Sequence, residues 1–517
     1  MTHTPATHPL APAVPPGHSP RWLRLALHLP LPLALAACAV ATPAPQVEAP
    51  APANWSAQAA SAAGMAHGGS AAQLKDWWKQ WNDPLLLELL ERAQQASPSV
   101  AAAATRVAQA RQAVVATGAA SSPGVNASAG VGRAVSLVNT PAATQASLGL
   151  QASWEIDLFG GQRAASTAAD QRLQAAGAQW HEARVAVAAE VARQYTGWRA
   201  CQQALRITQA DTQARTVIAR LTDDRTRAGF ESAANASLAQ ASAAQGRMAT
   251  VQQQARCDAT LKGLVALTGV DEAALRQQLA SGTASDAAQP LPLPVLPAQA
   301  LPVALPAQLL AQRPDVFAAQ RAVAAASADV GSAEADRYPR LGLSGQITAI
   351  QTRGLGGDGN TWSLGPLQLS LPVFDAGRRA GQVKVQQAAY GEAVVAYRAS
   401  VRNAVREVEQ ALVELHSTAA RQADAAASQQ GFARALQAAT DRHRAGLGSL
   451  LELEDTRRSA LAAELALVDL SRDRLLAWVD LYRSLGGGWS AADARSSGGW
   501  PATDTPPPAT TAAALAR

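Results

Sequence analysis

The sequence predicts a mainly α-helical chain that carries a membrane β-barrel: a duplicated unit of long coiled-coil helical hairpins plus strand hairpins, four strands per chain. Three observations predict it. Arg225-Thr-Arg-Ala-Gly-Phe-Glu-Ser232 and Arg442-His-Arg-Ala-Gly-Leu-Gly-Ser449 read almost as copies, each between long Ala- and Gln-rich segments. Equivalent positions keep a nearly constant separation: 216 from Pro98 to Pro314 and from Pro123 to Pro339, 215 from Phe159 to Phe374, and 217 from Arg227 to Arg444 and from Leu264 to Leu481. In each copy a helical apolar period gives way to strict alternation and then returns. A tandem duplication of one unit of roughly two hundred residues accounts for all three.

Each Arg-Ala-Gly stretch is read as the tight turn of a hairpin, with Gly ending one helix in the left-handed region and Ser capping the next. Aromatic residues are 4% and charged residues 16% of the chain. Such a chain suits helices packed closely through small side chains rather than a thick globular core. The formal charge of +5 comes from scattered Arg, read as solvated faces, and it excludes nucleic acid as a partner. His67, His181, His416 and His443 lack metal-ligand spacing, and no phosphate-cradling loop or nucleophile elbow occurs. The expectation is a protein that is not an enzyme and needs no cofactor or metal.

Residues 1–37 are Pro-rich, then apolar after Arg21 and Arg24, and end Leu35-Ala36-Ala37 before Cys38. This fits a cleaved secretory signal better than a transmembrane helix. The Leu-Ala-Ala-Cys sequence resembles a bacterial lipobox in which Cys38 is acylated; an ordinary signal with an incidental Cys is the alternative. Residues 38–73 are expected to be a flexible tether. The cluster Trp77, Trp78 and Trp81 reads as an anchor against the protein's own flank.

The first repeat is placed at 74–285. Val100, Ala104, Val107, Arg111 and Val114 mark one helix face. Past Pro123, Val125, Ala127, Ala129 and Val131 alternate with small polar residues, as in a strand with one dry face. Leu148, Leu150, Ala152, Trp154 and Ile156 form its partner strand. In the second repeat, 306–488, Leu341, Leu343 and Ile347 precede Trp362 and Leu364; at Gly365-Pro366 the phase flips to Leu367, Leu369 and Leu371, which predicts a bulge. Long helices then start near Arg163 and Arg378. About 65 residues at 1.5 Å each would span roughly 100 Å. Val401, Val405, Val408, Leu412 and Leu415 keep a coiled-coil seam, matched by Leu461, Leu465, Val468, Leu475 and Tyr482 on the return helix. The return helices are placed at 233–268 and 450–485, a Pro-rich linker at 286–305 and a disordered tail at 489–517.

Four strands with an apolar face cannot close a barrel, and an open edge in lipid strands backbone groups at a cost of several kcal/mol each. Closure requires an oligomer. Two copies give eight strands and three give twelve, and only the larger leaves a lumen.

The residues now carry a resemblance. The chain resembles the TolC/OprM outer-membrane factors, and within them the lipidated NodT-type efflux proteins. It does so through Leu309-Leu-Ala-Gln-Arg-Pro-Asp-Val316, Ala324-Ala-Ala-Ser-Ala-Asp-Val-Gly331, Tyr338-Pro-Arg-Leu341, Trp154-Glu-Ile-Asp-Leu-Phe-Gly160, Leu371-Pro-Val-Phe-Asp-Ala-Gly-Arg378 and the Arg-Ala-Gly turns. Gln320 stands where a Glu is usual. The resemblance implies a homotrimer with a twelve-stranded outer-membrane β-barrel and a periplasmic α-helical barrel. It also implies docking on a periplasmic adaptor protein and an inner-membrane efflux pump, and passive export of drugs or other small solutes. A type I protein secretion duct, a periplasmic adaptor and a non-conducting envelope lipoprotein are the rival readings.

Within that resemblance Glu452 and Asp455 match acidic residues that constrict the periplasmic entrance, although Ser449-x-x-Glu452 is also a capping box. The turns Ala228-Gly229-Phe230 and Ala445-Gly446-Leu447 would present an apolar residue to an adaptor. Cys201 lies 29 residues before Phe230 and Cys257 27 after it. Antiparallel helices bring them level, and an oxidising periplasm would allow a disulfide.

Overall fold

The structure, a computed structural model, describes residues 40–52, 55–57, 77–134, 143–281, 293, 310, 312–353 and 359–491. The signal segment 1–37, Cys38, nearly all of the linker 286–305 and the tail from 492 onward lie outside the described residues.

The duplication is visible element by element. Helices α1 (Pro84–Ala96) and α2 (Pro98–Ala119) lead to strands β1 (Gly124–Ala134) and β2 (Ala143–Ile156), then to α3 (Gly161–Arg227), α4 (Ala233–Thr268) and the short α5 (Glu272–Ser281). The second copy runs α6 (Pro314–Ala335), β3 (Arg340–Arg353), β4 (Gly359–Ser370), α7 (Arg378–Arg444) and α8 (Leu450–Ser484). Helices α2 and α6 have 22 residues each, and α3 and α7 have 67 each. Among the described residues no helix is long and apolar enough to cross a membrane.

The fold divides into two compact units. One, containing Ser121–Arg163 and Gly331–Ala380, holds the sheet. Its strands are antiparallel in the order β1-β2-β3-β4, so the central pairing joins the two copies. Within this unit Phe159 stacks on Tyr338, the ring centroids 4.8 Å apart.

The other unit, containing Pro43–Ala120, Ala164–Val330 and Gly381–Arg517, is helical. Its core is built by the Trp cluster. Trp77 stacks on Trp478 of α8 at 4.7 Å, and Trp78 meets Tyr482 edge-on at 4.7 Å. Around them close Leu86 and Leu89 of α1, Val191 and Tyr195 of α3, Leu261 and Leu264 of α4, Val408 of α7 and Val479 of α8. Of the predicted seam, Val401, Val408, Leu412, Val468, Leu475 and Tyr482 are buried, whereas Val405, Leu415, Leu461 and Leu465 are half-buried.

Two polar knots fix this core. Asp83 caps α1, accepting from Leu86 N–H, with Pro84 at the first helical position. Its other oxygen accepts from the Tyr195 hydroxyl and the Arg199 guanidinium, both at 2.7 Å. Burial and the neighbouring Asp83 carboxylate push the Tyr195 phenol well above its ordinary range, despite the opposing pull of Arg199. In the second copy Arg313 forks onto Asp315 (3.0 and 2.7 Å) and donates to Glu407 (2.8 Å) and to the carbonyl of Ser484 (2.7 Å). One guanidinium thus ties the start of α6, the flank of α7 and the end of α8.

Three expectations need correction. The stretch read as a flexible tether is, at 43–52 and 55–57, laid against helices: Trp55 and Ala57 pack on the main core, and Ser56 N–H donates to Glu409. Trp489, assigned to a disordered tail, is 2% exposed and packs with Ala178, Ala318 and Phe317. The scattered Arg residues are not all on solvated faces, because Arg199, Arg215, Arg313 and Arg457 are buried. Ala, Ser and Gly neighbours leave room between helices that long polar side chains fill. Gly246 is one such place, where an added Cβ would lie 3.2 Å from Arg215 Cδ.

Candidate functional site: a membrane-facing sheet and a paired hairpin tip

In the sheet, register decides function. Val125 pairs with Ala152, Ala127 with Leu150 and Ala129 with Leu148. Leu150 pairs onward with Ile347, and Trp154 with Leu343. Ile347 then pairs with Trp362, and Gly345 with Leu364. Directly opposed residues share a face, so the apolar positions of all four strands line up on one side. At the predicted flip the register shifts between Leu343, opposite Leu367, and Gly345, opposite Leu364. Two residues of β4 therefore oppose one of β3, and this extra residue returns Leu367 and Leu369 to the apolar face.

Leu148, Ile347, Trp362, Leu364 and Leu367 are each more than half exposed. The other face carries Gln151 opposite Gln346, Ser153 opposite Ser344 and Thr348 opposite Thr361. Strands of 11, 14, 14 and 12 residues meet the 9–11 residues or so that a tilted membrane strand needs. β1 and β4 are edges, each paired on one side only.

In the helical unit, the two hairpin turns adopt the same geometry. Gly229 and Gly446 have φ of +81° and +75°, a region costly for any residue with a Cβ. Phe230 N–H donates to Arg225 carbonyl (2.9 Å) and Leu447 N–H to Arg442 carbonyl (2.8 Å), the six-to-one closure of a helix C-terminus. Ser232 and Ser449 then cap α4 and α8, accepting from Asn235 N–H and Glu452 N–H, each at 3.1 Å. Ala228, Gly229, Ala445 and Gly446 are thus structural. Phe230 and Leu447 point out, 84% and 75% exposed. The side-chain amide of Asn235 and the N–H of Ser232 hold the Glu231 carboxyl below its usual range; His443 of the second hairpin acts in the same sense. The two turns are within electrostatic reach of one another.

Glu452 and Asp455 both lie exposed on the first turns of α8. Glu452 accepts from Arg442 at 2.7 Å, across the turn, and Asp455 pairs with Arg458. The capping box is half-made: the Ser449 hydroxyl accepts from Glu452 N–H, while the Glu452 carboxylate engages Arg442.

Sequence reasoning missed the residue between them. Glu454 turns inward and accepts from Ser242 (2.6 Å) and from Arg215 (3.0 Å), which also pairs with Asp211 at 2.7 Å. Arg457, one turn on, approaches Asp211 at 4.0 Å, and burial lowers its pKa. This buried network bolts the first hairpin to the second above the turns. Its signal was the spacing, Asp211 to Arg215 and Glu454 to Arg457, on helices otherwise rich in Ala. Cys201 and Cys257 meet in a disulfide between α3 and α4, their Cα atoms 5.5 Å apart. No cluster of metal-ligating side chains occurs among the described residues.

Comparison with known proteins agrees with this geometry. A sequence model described as outer membrane efflux protein matches twice in tandem, at residues 89–270 and 305–487. The pyoverdine export outer membrane protein OpmQ of Pseudomonas putida is 33% identical over 457 residues, covering 84% of this chain and 92% of its own length. The outer membrane protein OprJ of Pseudomonas aeruginosa is 32% identical over 356 residues, 65% of this chain and 68% of its own. The solved outer-membrane channel OprN superposes with a TM-score of 0.76 at 28% identity, over 87% of this chain and 99% of its own. With a paired match to the family, a sheet of membrane dimensions and twin helical hairpins, this chain belongs to the outer membrane efflux protein family and is an outer-membrane efflux channel.

Proposed function

We propose that three copies of this chain close one twelve-stranded barrel, the β4 edge of each pairing with the β1 edge of the next, and that the assembly is a passive exit duct for small solutes. The observation that carries this is the apolar face that runs unbroken across all four strands and ends in two edges. Such a face is stable in lipid only when both edges are paired. With its apolar side outward, the Gln, Ser and Thr side lines a wet bore.

In this reading the helical hairpins of three copies continue the wall into the periplasm. The exposed Phe230 and Leu447, set on the Ala228-Gly229 and Ala445-Gly446 turns, are the contact points for a periplasmic adaptor that couples the duct to an inner-membrane pump. Glu452 and Asp455, repeated three times around the entrance, form the carboxylate constriction; Arg442 and Arg458 hold them until the entrance widens. The disulfide between Cys201 and Cys257 forms in the oxidising periplasm, and an acyl group on Cys38 adds a lipid anchor. OpmQ is named for pyoverdine export; the polar bore proposed here has no feature selective for one solute, so selection is assigned upstream. Catalysis has no place in this scheme.

The test is reconstitution of purified protein in planar bilayers, with the mass of the detergent-solubilised assembly measured alongside. Ohmic single-channel conductance from a three-copy particle is expected. A monomeric particle that leaves the bilayer silent overturns the reading.

A further inference from the structure

The four strands carry four charged residues. Glu155 and Arg340 lie together, 3.9 Å apart, at the strand ends that the helices join. The other two, Arg133 of β1 and Arg353 of β3, stand exposed at the loop ends. Among the described residues neither has a hydrogen-bond or ion-pair partner.

Register puts both on the apolar face. Arg133 opposes Thr144 and Thr144 opposes Arg353, so the three form one row across β1, β2 and β3. Directly opposed residues share a face, and Thr144 is four residues from Leu148, hence on its side of β2. The neighbouring row, on the side assigned to the bore, is Gly132, Gln145 and Thr352, without a charge. The two cations therefore face the surroundings of the barrel and not its contents.

The height of the row is equally specific. From Trp154 to Thr144 the apolar side of β2 runs ten residues, about 34 Å at 3.4 Å each. At the tilt of about 40° usual for membrane strands it rises about 26 Å, the height of one apolar band. Trp154, whose indole donates to the Ser121 carbonyl at 2.9 Å, marks one border of that band, and Arg133 and Arg353 mark the other. With the helices in the periplasm, their border is the outer leaflet, at the level of the head groups, where a charge on the lipid face costs little.

Strands two places apart are separated by about 10 Å, so two Arg side chains leaning inward close on one group above Thr144. A phosphate fits there: its oxygens accept the forked donors of both guanidinium groups, and the Thr144 hydroxyl supplies a further donor. Just inside the row, Val131 and Leu148 are 79% and 64% exposed, an apolar surface for acyl chains.

We infer that Arg133, Thr144 and Arg353 of each copy bind the phosphate of a phosphorylated glycolipid in the outer leaflet. The site rests on the proposal above that the apolar face of a closed barrel meets lipid.

Native mass spectrometry of the full-length protein in neutral detergent, titrated with lipid A that carries or lacks its phosphate groups, tests the site. Phosphorylated lipid A is expected to bind at least about tenfold more tightly than the dephosphorylated form. Arg133→Gln combined with Arg353→Gln should abolish that preference, while assembly mass and bilayer conductance stay as in the parent protein. Arg353→Gln alone, which serves if the pair does not assemble, should lower it at least about threefold. Equal binding of the two lipids by a conducting three-copy parent, or a preference untouched by these substitutions, overturns the site and leaves the duct standing. Release of the bound lipid by millimolar inorganic phosphate would make this a site for free anions and overturn the lipid assignment. A silent, monomeric parent overturns the barrel and the site together.

Discussion

Arg215 Nη1 lies 3.0 Å from Glu454 Oε2, and this contact joins the first hairpin to the second through side chains that are each more than nine-tenths buried. Removing Glu454 leaves Asp211 as the carboxylate that Arg215 and Arg457 share, with the Ser242 hydroxyl still accepting from Arg215. Glu454→Ala is expected to destabilise the helical unit by about 3 kcal/mol, the cost of stranding a buried charge. The joint replacement Arg215→Met with Glu454→Leu should recover most of the loss, since apolar side chains of similar volume replace a desolvated pair with little penalty. Thermal unfolding of the two variants side by side decides this, and an unchanged midpoint for Glu454→Ala would show that the pair holds nothing.

Ile347 and Gln346 are adjacent in β3 and face opposite sides of the sheet. Ile347→Arg puts a charge toward lipid, costing about 2–4 kcal/mol near mid-membrane, and should lower the yield of assembled protein in the outer membrane. Gln346→Arg should assemble normally and shift the ion selectivity of the pore toward anions. Equal yields of the two variants in membrane fractions would contradict the assigned faces.

At the turns, Phe230→Asp and Leu447→Asp remove side chains that are largely exposed, so stability should change by no more than about 0.5 kcal/mol. Drug resistance conferred in cells with a cognate pump should nonetheless fall. Full resistance with both substitutions combined would remove these residues from the docking site.

Glu182 lies exposed, but partial desolvation raises the pKa of its carboxyl, and Asp315 and Glu407 push in the same direction against Arg313 and Arg483. A carboxyl raised in the folded state contributes stability in full below its unfolded value, near 4.3, and loses it as the pH rises through the raised value. Glu182→Gln should therefore stabilise the protein slightly at pH 7 to 8, because solvent screens an exposed carboxylate, and make no difference near pH 4. A stability difference that does not vary with pH would count against this assignment.

The first hairpin gives a fifth expectation. Replacing Cys201 and Cys257 by Ser should lower the thermal midpoint, with a loss of about 2–4 kcal/mol from the freed chain, while the assembled mass is unchanged. Two free thiols in the parent protein, measured by alkylation, would show that no bridge forms.

What the sequence revealed follows the length of the patterns. Return helices placed at 233–268 and 450–485 were found at Ala233–Thr268 and Leu450–Ser484, because a long apolar period bounded by Gly and a Ser cap leaves few other endpoints. The bulge was legible from Leu364 and Leu367, whose spacing breaks alternation by one residue. Glu454 was not, since its spacing to Arg457 is one of several acid–base spacings in Glu452-Leu-Glu-Asp-Thr-Arg-Arg458, and with 100° of helix rotation between neighbours nothing marks which carboxylate turns toward the other hairpin. Residues 43–57 were misread for a related reason: Pro and Ala have no period, so composition alone does not distinguish a loose linker from an extended one lying on a surface.

Phe230 and Glu231 of the first turn correspond to Leu447 and Gly448 of the second, on backbones closed by matching hydrogen bonds. Each copy thus presents two protruding turns of one backbone shape and two chemistries, the first aromatic and acidic, the second aliphatic and neutral. A partner built from identical subunits would meet the two kinds in alternation, and the duplicated scaffold would be read as a repeat of twice the spacing.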